Sequence, residues 1–154
     1  MPFPESLEVR PIHTIIPFGN KGEYIRFEGQ RSNYDCGQTC LDMLKQDGHK
    51  FFPKELSVKD VFEFMDIEKD KITILDGEDS QVAYDRPQLV LMRKDNNQMH
   101  KYHWVIKLRD LVICPSTGVM NAESYQKIHN FIPILAFEVP FGDSAKRTLL
   151  RTAA

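Results

Sequence analysis

Cys36, Cys40, Met43 and Leu44 recur at the spacing of one helix face, and this pattern predicts the first helix of the chain. Asp35 stands at its start as an N-cap residue type, with Gln38 three positions on, a capping-box arrangement with Asp in the Ser/Thr place. Asp47-Gly48 supplies the stop. A second helix is predicted over Ser57–Met65, with Ser57 as cap and Val58, Val61, Phe62 and Met65 as its apolar stripe. The period then changes. Lys71–Leu75, Gln88–Arg93, Tyr102–Leu108, Leu111–Cys114 and Ile132–Val139 are rich in Val, Ile, Leu and aromatics and predict strands. Residues 76–86 and 94–99 are polar and read as loops, and Asn121–His129 predicts a short helix before the last strand. Residues 1–29, with prolines among short apolar runs, read as an extended lead-in, and residues 142–154 as a flexible tail. Helices first and strands afterwards predict an α+β fold, its N-terminal helices packed on an antiparallel sheet. One domain over residues 1–154 is expected.

Composition narrows the function classes. A hydrophobic content of 42% and a charged content of 27% are those of an ordinary soluble globular chain. The formal net charge of −2 gives no general attraction to nucleic acid or anionic membrane. No apolar run reaches membrane-spanning length, and the N-terminus lacks the basic and apolar regions of a signal peptide. The expected location is therefore the cytoplasm, or outside the cell after export without a classical signal. Three cysteines at wide spacing do not form a disulfide framework.

The chemistry concentrates at the start of the first helix. A thiol at a helix N-terminus meets free backbone N–H groups and the positive end of the macrodipole, which favours thiolate. Cys36 is that residue, and Gln30, six positions earlier, offers a side-chain amide that can donate to a developing oxyanion. Such a nucleophile needs an imidazole. His103, opening the strand that runs to Leu108 after a polar loop, is the strongest of five candidates. His13, His49, His100 and His129 lie in the lead-in, in turns or at a helix end and read as surface residues. A two-residue turn at Arg109-Asp110 sets His103 opposite Ser116 and Val105 opposite Cys114, so that Cys114 and Ser116 share the His103 face.

These residues resemble a family. The Gln30–Cys36 spacing, with Gly37 and then Cys40-Leu41 before Met43-Leu44, looks like the bacteriocin-processing peptidases, papain-like cysteine peptidases that remove double-glycine leader peptides. Arg86–Leu91 is similar to the family's proline-led strand before the histidine, and His103–Leu108 to its catalytic-histidine strand. Pro115–Gly118 and Ala122–Lys127 resemble its turn and closing helix. The resemblance implies a papain-like fold, with Cys36 as nucleophile, Gln30 as oxyanion donor and His103 as general base. It implies a bacterial, free-standing member without the transporter parts, acting on a peptide or protein substrate, with no cofactor and no metal. A partner or inhibitor protein is a further expectation. The family places Asp immediately before the proline of the turn, and here that position is Cys114. Cys114 and Ser116 are therefore the candidate orienters of the ring, and Asp35, Gly37 and Trp104 the candidates for the substrate cleft.

Blander readings stand beside these. Cys40, one turn behind Cys36 on the apolar stripe, reads as core. A zinc site of Cys36, Cys40, His100 and His103 has suitable spacing but lacks knuckle turns. Trp104 and the ten phenylalanines are scattered and form no stacking platform. Two further functions keep the resemblance: a glutamine deamidase or toxin-like effector with the same Cys–His chemistry, and a non-catalytic peptide-binding module that has lost the orienting Asp.

Overall fold

The computed structural model describes residues 15–32, 34–52, 54–65, 72–75, 84–94 and 102–139. Strands β1 (Ile15–Phe18) and β2 (Glu23–Arg26) form an antiparallel hairpin. Gly19 and Gly22 make its turn at φ +67° and +77°, conformations in which a side chain would be strained. Ile16, Phe18 and Ile25 point into the core. The lead-in is thus extended as expected, but this part of it is a paired hairpin. Its strands have only four residues and include Pro17, which weakens a period-two signal. Residues 1–14, and with them His13, lie outside the described residues.

Helix α1 (Cys36–Met43) forms where the apolar stripe predicts it, but its cap does not. The Asp35 side chain accepts from no backbone N–H of the helix, and Gln38 Nε2 donates instead to the carbonyls of Phe52 and Lys54. The segment read as a stop begins a short helix, α2 (Gly48–Phe51). A Cβ at Gly48 would lie 2.2 Å from the Gln38 carbonyl oxygen, so α2 crosses the backbone of α1 at glycine distance. Helix α3 (Val58–Met65) carries the reciprocal cap that α1 lacks. Asp60 N–H donates to Ser57 Oγ at 3.1 Å, and Ser57 N–H to the Asp60 carboxylate at 3.2 Å.

The remaining elements are β3 (Ile72–Ile74), β4 (Tyr84–Lys94), β5 (Tyr102–Arg109), β6 (Leu111–Cys114), β7 (Gly118–Asn121), α4 (Ala122–His129) and β8 (Phe131–Glu138). They build a six-stranded sheet in the order β3-β8-β4-β5-β6-β7, every neighbour antiparallel. Strand β7 has no counterpart among the predicted elements. The α+β class holds, with α1 and α3 against one face and α4 against the other. Cys40, Leu41, Leu44, Val61, Trp104, Ile106 and Phe137 fill the first layer. Val90, Val105, Val112, Cys114, Ala122 and Tyr125 fill the second. Alternate residues of β5 and β6 thus enter different cores, and Trp104 and His103 face opposite ways. Among the described residues no helix is long and apolar enough to cross a membrane. Residues 76–83 and 95–99 of the two predicted loops, the charge run 68–71, His100 and the tail 142–154 fall outside the described residues. Residues 84–86 and Lys94, read as loop, belong instead to β4, where pairing with β5 and β8 extends the strand.

Candidate active site

Cys36 is the first residue of α1, where the leading N–H groups have no intrahelical acceptor. Its Sγ accepts a hydrogen bond from the Trp104 backbone N–H at 3.5 Å. The reason lies in the sheet. Strand β6 pairs with β5 only as far as Ile106↔Ile113, while β5 runs on to Tyr102. Beyond that point a buried strand N–H needs another acceptor, and the thiol at the helix end provides it.

The β5–β6 turn is the predicted one. Leu108 pairs with Leu111 and Lys107 with Val112, and Arg109 takes a positive φ of 55° to close the turn without glycine. Continuing this register carries His103 and Cys114 to one face as diagonal neighbours. His103 Nε2 lies 3.1 Å from Cys114 Sγ, and its ring stacks on Phe131 at 5.5 Å. Ser116 Oγ lies 3.2 Å from the same sulfur. Of the two expected orienters, Cys114 touches the ring directly and Ser116 bonds to Cys114. Gly118, at φ +104°, closes the Pro115–Thr117 loop that brings Ser116 back over the sulfur.

The charges of this cluster are coupled. Burial disfavours a charged ring, but the Cys114 and Cys36 sulfurs beside it outweigh burial and push His103 up to about 10. Burial raises a thiol, yet the bond to His103, its charge and the Ser116 hydroxyl bring Cys114 down to about 6. Cys40 behaves differently. It is wholly buried, donates from Sγ to the Trp104 carbonyl at 3.5 Å, and burial pushes its thiol well up. That is the core role expected of it. All three cysteines are free thiols.

Gln30 reaches the cluster through its backbone: its N–H donates to the Pro115 carbonyl at 2.9 Å, tying it to the loop after Cys114. Its side-chain Nε2 donates to the Ser32 carbonyl at 2.7 Å, and Oε1 is buried with no hydrogen-bond partner. Trp104 lines a groove of about 570 Å³ that ends on Cys36, with Leu56, Val58, Leu91, Tyr102 and Ile134 among its walls. Gly37 does not open space beside the thiol. A Cβ there would lie 2.6 Å from Leu56 Cδ2 and 2.8 Å from Trp104 Cδ1, so glycine lets the helix pack on the groove wall. Asp35 is not in the groove either. Its carboxylate accepts from the N–H groups of Arg31 and Ser32, from Ser32 Oγ and from His49 Nε2 at 2.7 Å.

Sequence reasoning missed two participants. His49, read as a surface residue, is half-buried between Asp35 and Asp42, both ring nitrogens bonded. Burial opposes its charge, but the two carboxylates raise its pKa. Tyr125 of α4 donates its hydroxyl to Cys114 Sγ at 3.4 Å. The only sequence signal for it was its place on the buried face of a short helix. His129, also read as surface, packs on Tyr125 with ring centroids 4.9 Å apart. Among the described residues no group of three or more His, Cys, Asp or Glu could hold a metal ion. Compared with protein-family models, curated proteins and solved structures, the chain matches none.

Proposed function

We propose that this protein is a papain-like cysteine hydrolase that cleaves a peptide or amide bond through a thioester on Cys36. His103 takes the Cys36 proton, the sulfur adds to the carbonyl, and the oxyanion sits between the Cys36 N–H and Gln30 Nε2. One hydrogen of Nε2 serves the Ser32 carbonyl, and the second is the donor to the oxyanion. His103 returns the proton to the leaving amine, and water then releases the acyl group. The observation that carries this reading is one imidazole beside two sulfurs: its Nε2 lies 3.1 Å from Cys114 Sγ, and the Cys36 sulfur at a helix N-terminus hydrogen-bonds to the same ring. The groove supports it: its volume lies in the range of about 300–1,000 Å³ usual for ligand clefts, and its largely apolar walls suit the side chains of a peptide.

Iodoacetamide labelling read by peptide mass spectrometry tests the assignment. Cys36 lines the groove, whereas Cys40 and Cys114 have no exposure, so Cys36 is labelled first. An electrophilic peptide forms an adduct on Cys36 and none on the Cys36→Ala protein. Equal labelling of all three cysteines in the folded protein overturns the reading. Peptide binding without an adduct identifies a non-catalytic module instead, and conversion of a side-chain amide without scission identifies a deamidase.

A further inference from the structure

Cys114 is the least expected member of the cluster, and its surroundings say more than its substitution for Asp. Its sulfur has no solvent exposure and does not line the groove, so it is not placed to attack a substrate. Yet three polar groups converge on it: His103 Nε2 at 3.1 Å, Ser116 Oγ at 3.2 Å and the Tyr125 hydroxyl at 3.4 Å. A thiol has one weak hydrogen to donate, so a sulfur with three such neighbours acts mainly as an acceptor. Each neighbour comes from a different element: β5, the loop after β6, and α4. Nothing in a merely space-filling cysteine calls for such a ring of polar neighbours.

We propose that Cys114 is held as a thiolate by His103, Ser116 and Tyr125, and that this anion orients the His103 ring as the third member of a Cys36–His103–Cys114 triad. The proposal deepens the hydrolase reading and rests on it for the word triad; the thiolate itself does not. The proton of Cys114 Sγ moves to His103 Nε2, so one anion and one cation appear together and the pair is neutral overall. The ring accepts the Cys36 proton only after its other nitrogen has given a proton to solvent, which leaves the Cys114 thiolate facing a neutral imidazole that carries its hydrogen on Nε2. The donors then match the charge: a phenol and a hydroxyl both point hydrogens at sulfur, where a carboxylate would otherwise take them.

Electrostatics supports the geometry. Cys114 is depressed to about 6 and His103 raised to about 10, so both are charged between those limits. Tyr125 is pushed far up by burial and by the negative sulfur, and so remains a donor throughout. The other titratable groups around the cluster are Cys36 and Cys40 of α1, His129 against the Tyr125 ring, and Lys107 two alternations along β5 on the His103 face. Cys36 is the one of these whose own charge reaches His103, and the test therefore removes it.

In the Cys36→Ser protein, ultraviolet thiolate absorbance and the His103 imidazole resonances are followed by pH titration. The expected result is one thiolate that appears with a midpoint near 6, together with a His103 that stays charged well above neutral pH. Cys40 contributes none, because burial keeps it protonated. A neutral Cys114 at pH 7, or a His103 titrating at the ordinary imidazole value of about 6.5, overturns the proposal. Adding Cys114→Asp keeps His103 raised and moves the acid transition to lower pH. Adding Cys114→Ala returns His103 toward its ordinary value, while a purely structural cysteine would leave the ring unchanged in both. A thiolate found in a protein whose Cys36 takes no electrophile upholds this proposal and overturns the hydrolase reading.

Discussion

Asp35 precedes the thiol by one residue, yet its carboxylate turns back onto Arg31, Ser32 and His49. The loop from Gln30 to Cys36 is shaped by this one side chain. Burial would raise its pKa, but the His49 bond and the two backbone N–H groups hold it well below the usual carboxylate range. His49 is raised by Asp42 and Asp35. The signs of the two shifts define a window. The Asp35 contribution to stability is present above the unfolded carboxylate pKa of about 3.9 and is lost as pH falls through the folded value. The His49 contribution is present below about 6.5 and is lost as pH rises through its raised folded value. Urea unfolding midpoints should therefore fall from pH 6 toward alkaline pH in the native protein, and Asp35→Asn should flatten that slope. Asp35→Ala also strips charged hydrogen bonds from the buried carboxylate position and should cost about 2–4 kcal/mol. An unchanged unfolding midpoint in Asp35→Ala would show that the loop holds itself. The residue type before Cys36 was legible in the sequence as a polar loop-to-helix residue. Its partner His49, fourteen positions away, was not, because only the α1–α2 crossing brings them together.

At the scale of elements, the site depends on how closely α1 packs on β5. Gly37 is the point of closest approach, and a methyl there meets both Leu56 and Trp104 under 3 Å. Gly37→Ala should cost about 1–3 kcal/mol through overpacking, and it should lower labelling of Cys36 by an electrophilic peptide because both displaced residues wall the groove. Thermal unfolding and adduct yield, measured together, check this; a variant with native stability and native labelling would refute the packing argument. The strand periodicity and the Arg109-Asp110 turn were readable, and they placed His103 and Cys114 on one face correctly. Helix α2 and strand β7 were not. Each is four residues long, too short to establish a period, and each exists because it pairs or packs with a neighbour.

At the scale of the molecule, one sheet separates two cores, and the cluster sits where β5 outruns β6. Helix α1 supplies Cys36 from one face, while His103, Cys114 and Tyr125 meet on the other. Phe137 of β8 anchors the first core: it is fully buried, with ring contacts to Phe62 at 5.3 Å and Trp104 at 6.2 Å. Phe137→Ala should cost about 3–5 kcal/mol, a large share of the roughly 5–15 kcal/mol that holds a domain folded. It should loosen α3 and the groove wall together. Calorimetry gives the first effect, and hydrogen exchange of α3 and Trp104 amides the second; loss confined to β8 would argue against a shared core.

The helices-then-strands order of the longer elements, the α1 stripe, the β5–β6 register and the residues able to do Cys–His chemistry follow from the sequence by itself. All are local: periodicity, turn length and side-chain chemistry act over a few residues. Tertiary structure decided the rest. It turned Asp35 and Gly37 from cleft residues into scaffold, drew His49 into the loop, and closed Tyr125 over Cys114. Those outcomes depend on which backbone comes near which across the sheet and between helices, and no local pattern carries that distance.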